Sequence, residues 1–228
     1  MCDISGSPLP LLLPGERHGS LQFFGPVEAG CEAEEQREKM KRYEIVGKEN
    51  LFEGKFLRCF KLTYRDPEGV QRQWEAVERV NCEGIVAIVP VTDQGEMILI
   101  RQYRPPLDNY VVEFPAGLSD RGEKIEAAAS RELLEETGYE AKEMIFLAKG
   151  PVSSGSSREV LTVYLAKGIA FKGIGQRDET EDIEVLKVPA KKIYEVLSRL
   201  SEDGNLIDLK IYGFIEMAKK YLITPEVQ

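Results

Sequence analysis

The stretch Gly117-Leu-Ser-Asp-Arg-Gly-Glu-Lys-Ile-Glu-Ala-Ala-Ala-Ser-Arg-Glu-Leu-Leu-Glu-Glu-Thr-Gly-Tyr139 decides the fold. Asp120 and Glu123 have capping-box spacing, with Asp120 at N-cap and Glu123 at N3. Ala127, Ala128, Ala129, Leu133 and Leu134 favour a helix, and Gly138 sits where a left-handed glycine would end it. On that helix Glu132, Glu135 and Glu136 fall at i, i+3 and i+4 and share a face. Like charges so placed repel unless a cation sits among them. Three carboxylates are hard oxygen ligands, suited to Mg²⁺ or Mn²⁺ rather than zinc. On spacing alone the same face also reads as a solvated acidic surface.

The rest of the chain narrows the chemistry. A net charge of −9 argues against a nucleic-acid surface. No apolar run approaches membrane-spanning length. Cys2, Cys31, Cys59 and Cys82 have no metal-ligand spacing, and four free thiols suggest a reducing cytoplasm. The only histidine is His18, so a histidine-based nucleophilic mechanism is disfavoured and a general base is expected to be a carboxylate.

Residues 1–40 are rich in Gly, Pro, Ser and Glu and read as a flexible tail. Met40 resembles an alternative start, so this tail need not be native. Residues 41–80 read as antiparallel strands, including 56–64 and 71–80 joined by the turn Asp66-Pro-Glu-Gly69. Residues 85–91 and 97–103 read as a second strand pair joined through Asp93-Gln-Gly95. Further strands are expected at 111–114, 144–148, 160–166 and 184–188. A helix is expected from Pro189 to Leu200 and a last one from Leu206 to Leu222. The loop Gly150-Pro-Val-Ser-Ser-Gly-Ser-Ser-Arg158 has the composition of a functional loop. The pattern predicts an α/β fold with helices on both sides of a mixed sheet over 81–228, preceded by the small β-rich part.

Gly117, Glu123, Arg131, Glu132, Leu133, Glu135, Glu136 and Gly138 match the Nudix box, G-x5-E-x7-R-E-U-x-E-E-x-G-U. Tyr139 departs from the aliphatic residue expected at the last position, and local repacking follows. The chain therefore resembles the Nudix hydrolases, which implies an α/β/α sandwich. Arg101-Gln-Tyr-Arg-Pro-Pro106 and Glu113-Phe-Pro-Ala-Gly117 further resemble the ADP-ribose pyrophosphatase branch. The resemblance covers about residues 41–222.

The resemblance implies site roles. Glu132, Glu136 and the Ala116 carbonyl would hold Mg²⁺ or Mn²⁺, with Glu135 at a further ion. Arg131 would orient a carboxylate. Glu181 matches the branch's catalytic base, with Glu184 as competitor. Phe56 and Trp74 match its adenine-stacking pair, although large aromatics are also common in cores. Arg79, Arg104 and Glu113 would bind the rest of the substrate. Strand alternation puts Trp74 and Arg79 on opposite faces, so one site needs a bulge between them or two subunits of a homodimer. Ser154 stands where the branch usually has proline. The implied reaction is Mg²⁺-dependent hydrolysis of ADP-ribose to AMP and ribose 5-phosphate. Other nucleoside diphosphate sugars, such as GDP-mannose, remain open, as does a silent nucleotide sensor.

Overall fold

The computed structural model describes residues 42–173 and 182–222. The expected tail 1–40 and the candidate base Glu181 lie outside them. The first three strands, β1 (Glu44–Glu53), β2 (Leu57–Arg65) and β3 (Gln71–Arg79), form an antiparallel sheet in chain order. The β2–β3 turn closes as its residues dictate. Asp66 accepts hydrogen bonds from the Glu68 and Val70 amides, and Gly69 takes the left-handed backbone that the turn requires.

The chain continues through β4 (Gly84–Pro90), β5 (Glu96–Arg104), β6 (Asn109–Glu113), β7 (Ala116–Ser119) and helix α1 (Ile125–Thr137). Then come β8 (Tyr139–Glu140), β9 (Glu143–Pro151), β10 (Val160–Lys167), β11 (Ala170–Phe171), β12 (Ile183–Pro189), α2 (Ile193–Glu202), β13 (Leu206–Ile207) and α3 (Lys210–Leu222). Two four-stranded mixed sheets carry the fold, ordered β7-β4-β10-β9 and β12-β5-β6-β13.

This corrects the expected pairing of β4 with β5. The only pairing near their turn is the isolated bridge Val91–Met97, and the two strands enter different sheets. The turn between them is short enough for a hairpin, but both strands are apolar on both faces. Val86 and Ile88 face α1, while Ala87 and Val89 face α2 and α3. A strand that needs cover on both sides belongs in a sheet interior between two helical layers. The result is the α/β/α arrangement. Leu133 of α1 is fully buried, a contribution of about 2 kcal/mol from burial alone.

Two helix starts also differ from expectation. Helix α1 begins at Ile125 with Lys124 at N-cap and no side-chain cap, so Asp120 does not cap it. Glu123 is instead drawn to Arg131. Helix α3 begins at Lys210, because Leu206 and Ile207 pair with Val111 and Val112 of β6. Asp208 then accepts the Lys210 amide and starts the helix.

The end of α1 matches expectation. Gly138 is left-handed at φ 77°, and its amide donates to Leu134. Tyr139 packs edge-on against Phe171, with ring centroids 5.4 Å apart. A Cβ on Gly138 would lie 2.7 Å from the Phe171 ring and 2.9 Å from the Gly173 carbonyl. Gly138→Ala is therefore expected to lower stability by about 2 kcal/mol, since strain and overlap act together. The measurement is the urea midpoint, and an unchanged midpoint contradicts the packing described.

Candidate active site

The site is built where α1 lies against β7. The Ala116 amide donates to Glu136 at 2.9 Å, and the Leu118 amide donates to Glu132 at 3.2 Å. This contact requires Gly117. A Cβ there would fall 1.9 Å from the Glu132 carboxyl carbon, so the first residue of the box is fixed by close approach.

Arg131 organises the carboxylates. Its guanidinium donates to Glu132 and Glu135, both at 2.8 Å, to Glu123 at 2.7 Å and to the Leu118 carbonyl at 2.8 Å. Arg121 adds a second contact to Glu135 at 3.3 Å. Burial pushes the Glu132 carboxyl above its usual range, and Arg131 opposes this. The same ion pairs hold Arg131 more firmly protonated. The asymmetry has a cause: Glu132 loses hydration and also faces Glu135, while Arg131 meets three carboxylates.

A cleft of about 760 Å³ opens beside this cluster. Glu132, Glu135, Glu136 and Ala116 line it, as do Arg104, Glu113, Arg79 and Phe56. Glu113 is only 8% exposed. It accepts hydrogen bonds from Arg104 at 2.8 Å and from Gln102 at 3.2 Å. The register of β5 with β6 pairs Ile100 with Glu113, and the period of two brings Gln102 and Arg104 to the same face. A smaller neighbouring cavity of about 270 Å³, at Arg79, Cys82 and Arg158, contains none of the box carboxylates.

Not every expected residue is in the cleft. Trp74 is absent from its lining; it is 50% exposed, and its indole N–H donates to the Gly155 carbonyl at 2.9 Å. Phe56 lines the cleft and is 67% exposed, so neither aromatic is a core residue. The β2–β3 register runs unbroken from Leu57–Arg79 to Arg65–Gln71. No bulge reconciles Trp74 with Arg79. Glu184 is held by Arg101 at 2.8 Å and does not line the cleft. Sequence reading missed Gln102, Asp208, Lys210 and Glu159, which also border the cleft. The β5–β6 alternation could have found Gln102. Glu159 pairs with Arg79 across 80 residues, and no local signal could show that.

The NUDIX domain profile matches residues 83–208, more than half the chain. This chain belongs to the Nudix family. It is 36% identical over 166 residues to an ADP-ribose pyrophosphatase of Bacillus subtilis (strain 168), covering 72% of this chain and 86% of that protein. It is 33% identical over 184 residues to an ADP-sugar pyrophosphatase of Mus musculus, covering 75% and 84%. The crystal structure of an ADP compounds hydrolase superposes with a TM-score of 0.67 at 24% identity, covering 79% of this chain and 94% of that one. That likeness bears on the fold.

Nudix hydrolases generally use divalent metal ions, and the Nudix helix here suits one. Its carboxylates and the Ala116 carbonyl are hard oxygen donors, and the missing Cβ of Gly117 leaves them room. Among the described residues no three acidic, thiol or imidazole groups are already placed to share one ion. In this arrangement Arg131 and the β7 amides hold the carboxylate oxygens.

The Glu113 carboxyl is pushed above 4.5 by burial, against the pull of Arg104. A group easier to protonate in the fold stabilises fully below its unfolded pKa and loses that contribution as pH rises through its folded value. Glu113→Gln is therefore expected to melt higher than wild type at neutral pH, with the gap closing as pH falls toward 4.5. Thermal melts across that window check it.

Proposed function

We propose that this protein hydrolyses the pyrophosphate bond of ADP-ribose, giving AMP and ribose 5-phosphate, with Mg²⁺ or Mn²⁺ as cofactor. The observation that carries the reading is a single cleft lined both by the α1 carboxylates Glu132, Glu135 and Glu136 and by Arg79, Arg104 and Phe56. An anionic diphosphate flanked by sugars needs such a lining. Relatives above 30% identity with ADP-ribose or ADP-sugar pyrophosphatase activity in their names support it. Ser154 in place of proline keeps GDP-mannose and similar sugars as the second reading.

In this reading Glu132, Glu136 and the Ala116 carbonyl would hold the metal, and Glu135 would hold a further one. When bound, the ion neutralises diphosphate charge and lowers the pKa of a water. Arg104 grips the diphosphate, held in place by Glu113. Arg79, fixed by Glu159, adds a second cation. Arg131 keeps the carboxylates aligned rather than touching substrate. Water attacks phosphorus, a new P–O bond replaces the bridging one, and the proton passes to a carboxylate, for which we propose Glu181. Glu184 is disfavoured by its pairing with Arg101.

With ADP-ribose and Mg²⁺ in ¹⁸O-water, label is expected on a phosphate and not on ribose carbon. Glu136→Gln should lower kcat at least about a hundredfold while the fold persists. Preference for GDP-mannose would overturn the substrate, and full activity of Glu136→Gln would overturn the metal assignment.

We also propose a homodimer. Ile45, Phe52 and Leu57 are exposed on the first sheet, with Tyr43 before β1 and Phe56 in the β1–β2 turn, apolar side chains that a second copy would cover. With no bulge in β3, Trp74 and Arg79 contact one substrate only if two subunits share the site. The family match starting at residue 83 supports reading 1–40 as a tail, 41–80 as the dimerising strands and 81–228 as the hydrolase part. A cytoplasmic location is supported by free Cys59 and Cys82. No helix among the described residues is long and apolar enough to cross a membrane. A protein lacking residues 1–39 is expected to sediment as an active dimer; an active monomer overturns this.

A further inference from the structure

Strand β3 has one open edge, because β2 occupies the other. The loop 152–159 closes it. The Val77 amide donates to the Ser156 carbonyl at 2.8 Å, and the Arg158 amide donates back to the Val77 carbonyl at 3.1 Å. Trp74 adds the third bond, from its indole N–H to Gly155 at 2.9 Å. Within the loop, the Ser156 and Ser157 amides both donate to Ser153, and the Ser153 and Ser156 hydroxyls pair at 2.7 Å.

From Ser153 to Ser157 this loop is serine and glycine, largely exposed. It has no apolar side chain there to bury, so between Ser153 and Ser157 hydrogen bonds hold it to the sheet, with ion pairs from Arg158 to Glu78 and from Arg79 to Glu159 beyond. Its far end carries Glu159, whose carboxylate receives Arg79 at 2.8 Å. Glu159, Val152 and Arg79 all border the cleft. The loop therefore links Trp74, outside the cleft, to Arg79, inside it.

We propose that Trp74 is a positioning residue whose indole N–H clasps the loop 152–159 onto β3 and thereby sets Arg79, through Glu159, for the substrate. This differs from stacking on a base, which needs the ring face and not the N–H. The clasp also explains how a loop with Ser154 in place of proline keeps its shape. Proline would restrict the chain covalently; here external hydrogen bonds do so.

The kinetic arm of the test rests on the pyrophosphatase reading, and the exchange arm does not. Trp74→Phe keeps an aromatic face and removes the donor. Hydrogen exchange of the loop amides is expected to quicken about fivefold, the size of one lost hydrogen bond. KM for ADP-ribose should rise by about the same factor with kcat unchanged. Combined with Glu159→Gln, the KM effects should be less than multiplicative, because both act on Arg79. Unchanged loop exchange in Trp74→Phe, or effects that multiply, would overturn the proposal. If wild type does not turn over ADP-ribose, the functional reading fails and exchange alone decides the clasp. Trp74 is the only tryptophan, which provides a second readout that leaves the indole intact. Loosening the loop with Ser153→Ala and Ser156→Ala together should shift its emission to the red, and an unshifted spectrum counts against the clasp.

Discussion

The contact of Arg131 with three carboxylates and one carbonyl is the constraint on which the site depends. Glu132 and Glu135 share a helical face, and Glu123 joins them from the turn before α1. Left alone, such a cluster would oppose folding. A partly buried guanidinium reverses the sign of that interaction, and removing one partner of a buried pair costs about 3–5 kcal/mol where burial is complete. The figure here is smaller, because Glu135 and Glu123 retain some water contact. The same arginine bonds to Leu118 and so ties α1 to β7. Charge balance and backbone placement are one interaction.

That tie works only because β7 is itself fixed. It pairs with β4, whose two faces are buried under α1 and under α2 with α3. Gly117 then permits the backbone to pass against Glu132. The rigid double core thus carries a hydrophilic cluster on its edge, and side chains in the cleft inherit the precision of the sheets. Glu113 shows the same logic from the other sheet, where Arg104 and Gln102 come into reach through strand register.

The first sheet follows different rules. It is bound to the rest through β3 and the loop 152–159, and much of its apolar surface faces water. Exposed Phe56 lines the cleft, whereas half-exposed Trp74 lies outside it and spends its indole N–H on Gly155. They are separated along β3, because Phe56 sits beside Val80 in the β1–β2 turn while Trp74 pairs with Leu62.

Much of the local geometry was legible in the chain. The carboxylate spacing, the Gly138 stop and the Asp66 turn are local, set by backbone geometry over a few residues, and all three appear as read. The Asp120 cap failed because Arg131 competes for Glu123 from eight residues away, and a tertiary ion pair outweighs a local cap. The β4–β5 hairpin failed because burial on both faces outweighs the short turn. Leu206 and Ile207 left their expected helix because β6 offered an open edge. Sequence by itself determined which groups are present and which neighbours share a helical or strand face. Only the tertiary structure decided that Arg79 meets Glu159 and that Trp74 meets Gly155. Contacts across some 80 residues are selected by the packing of the whole chain, and no local period encodes them.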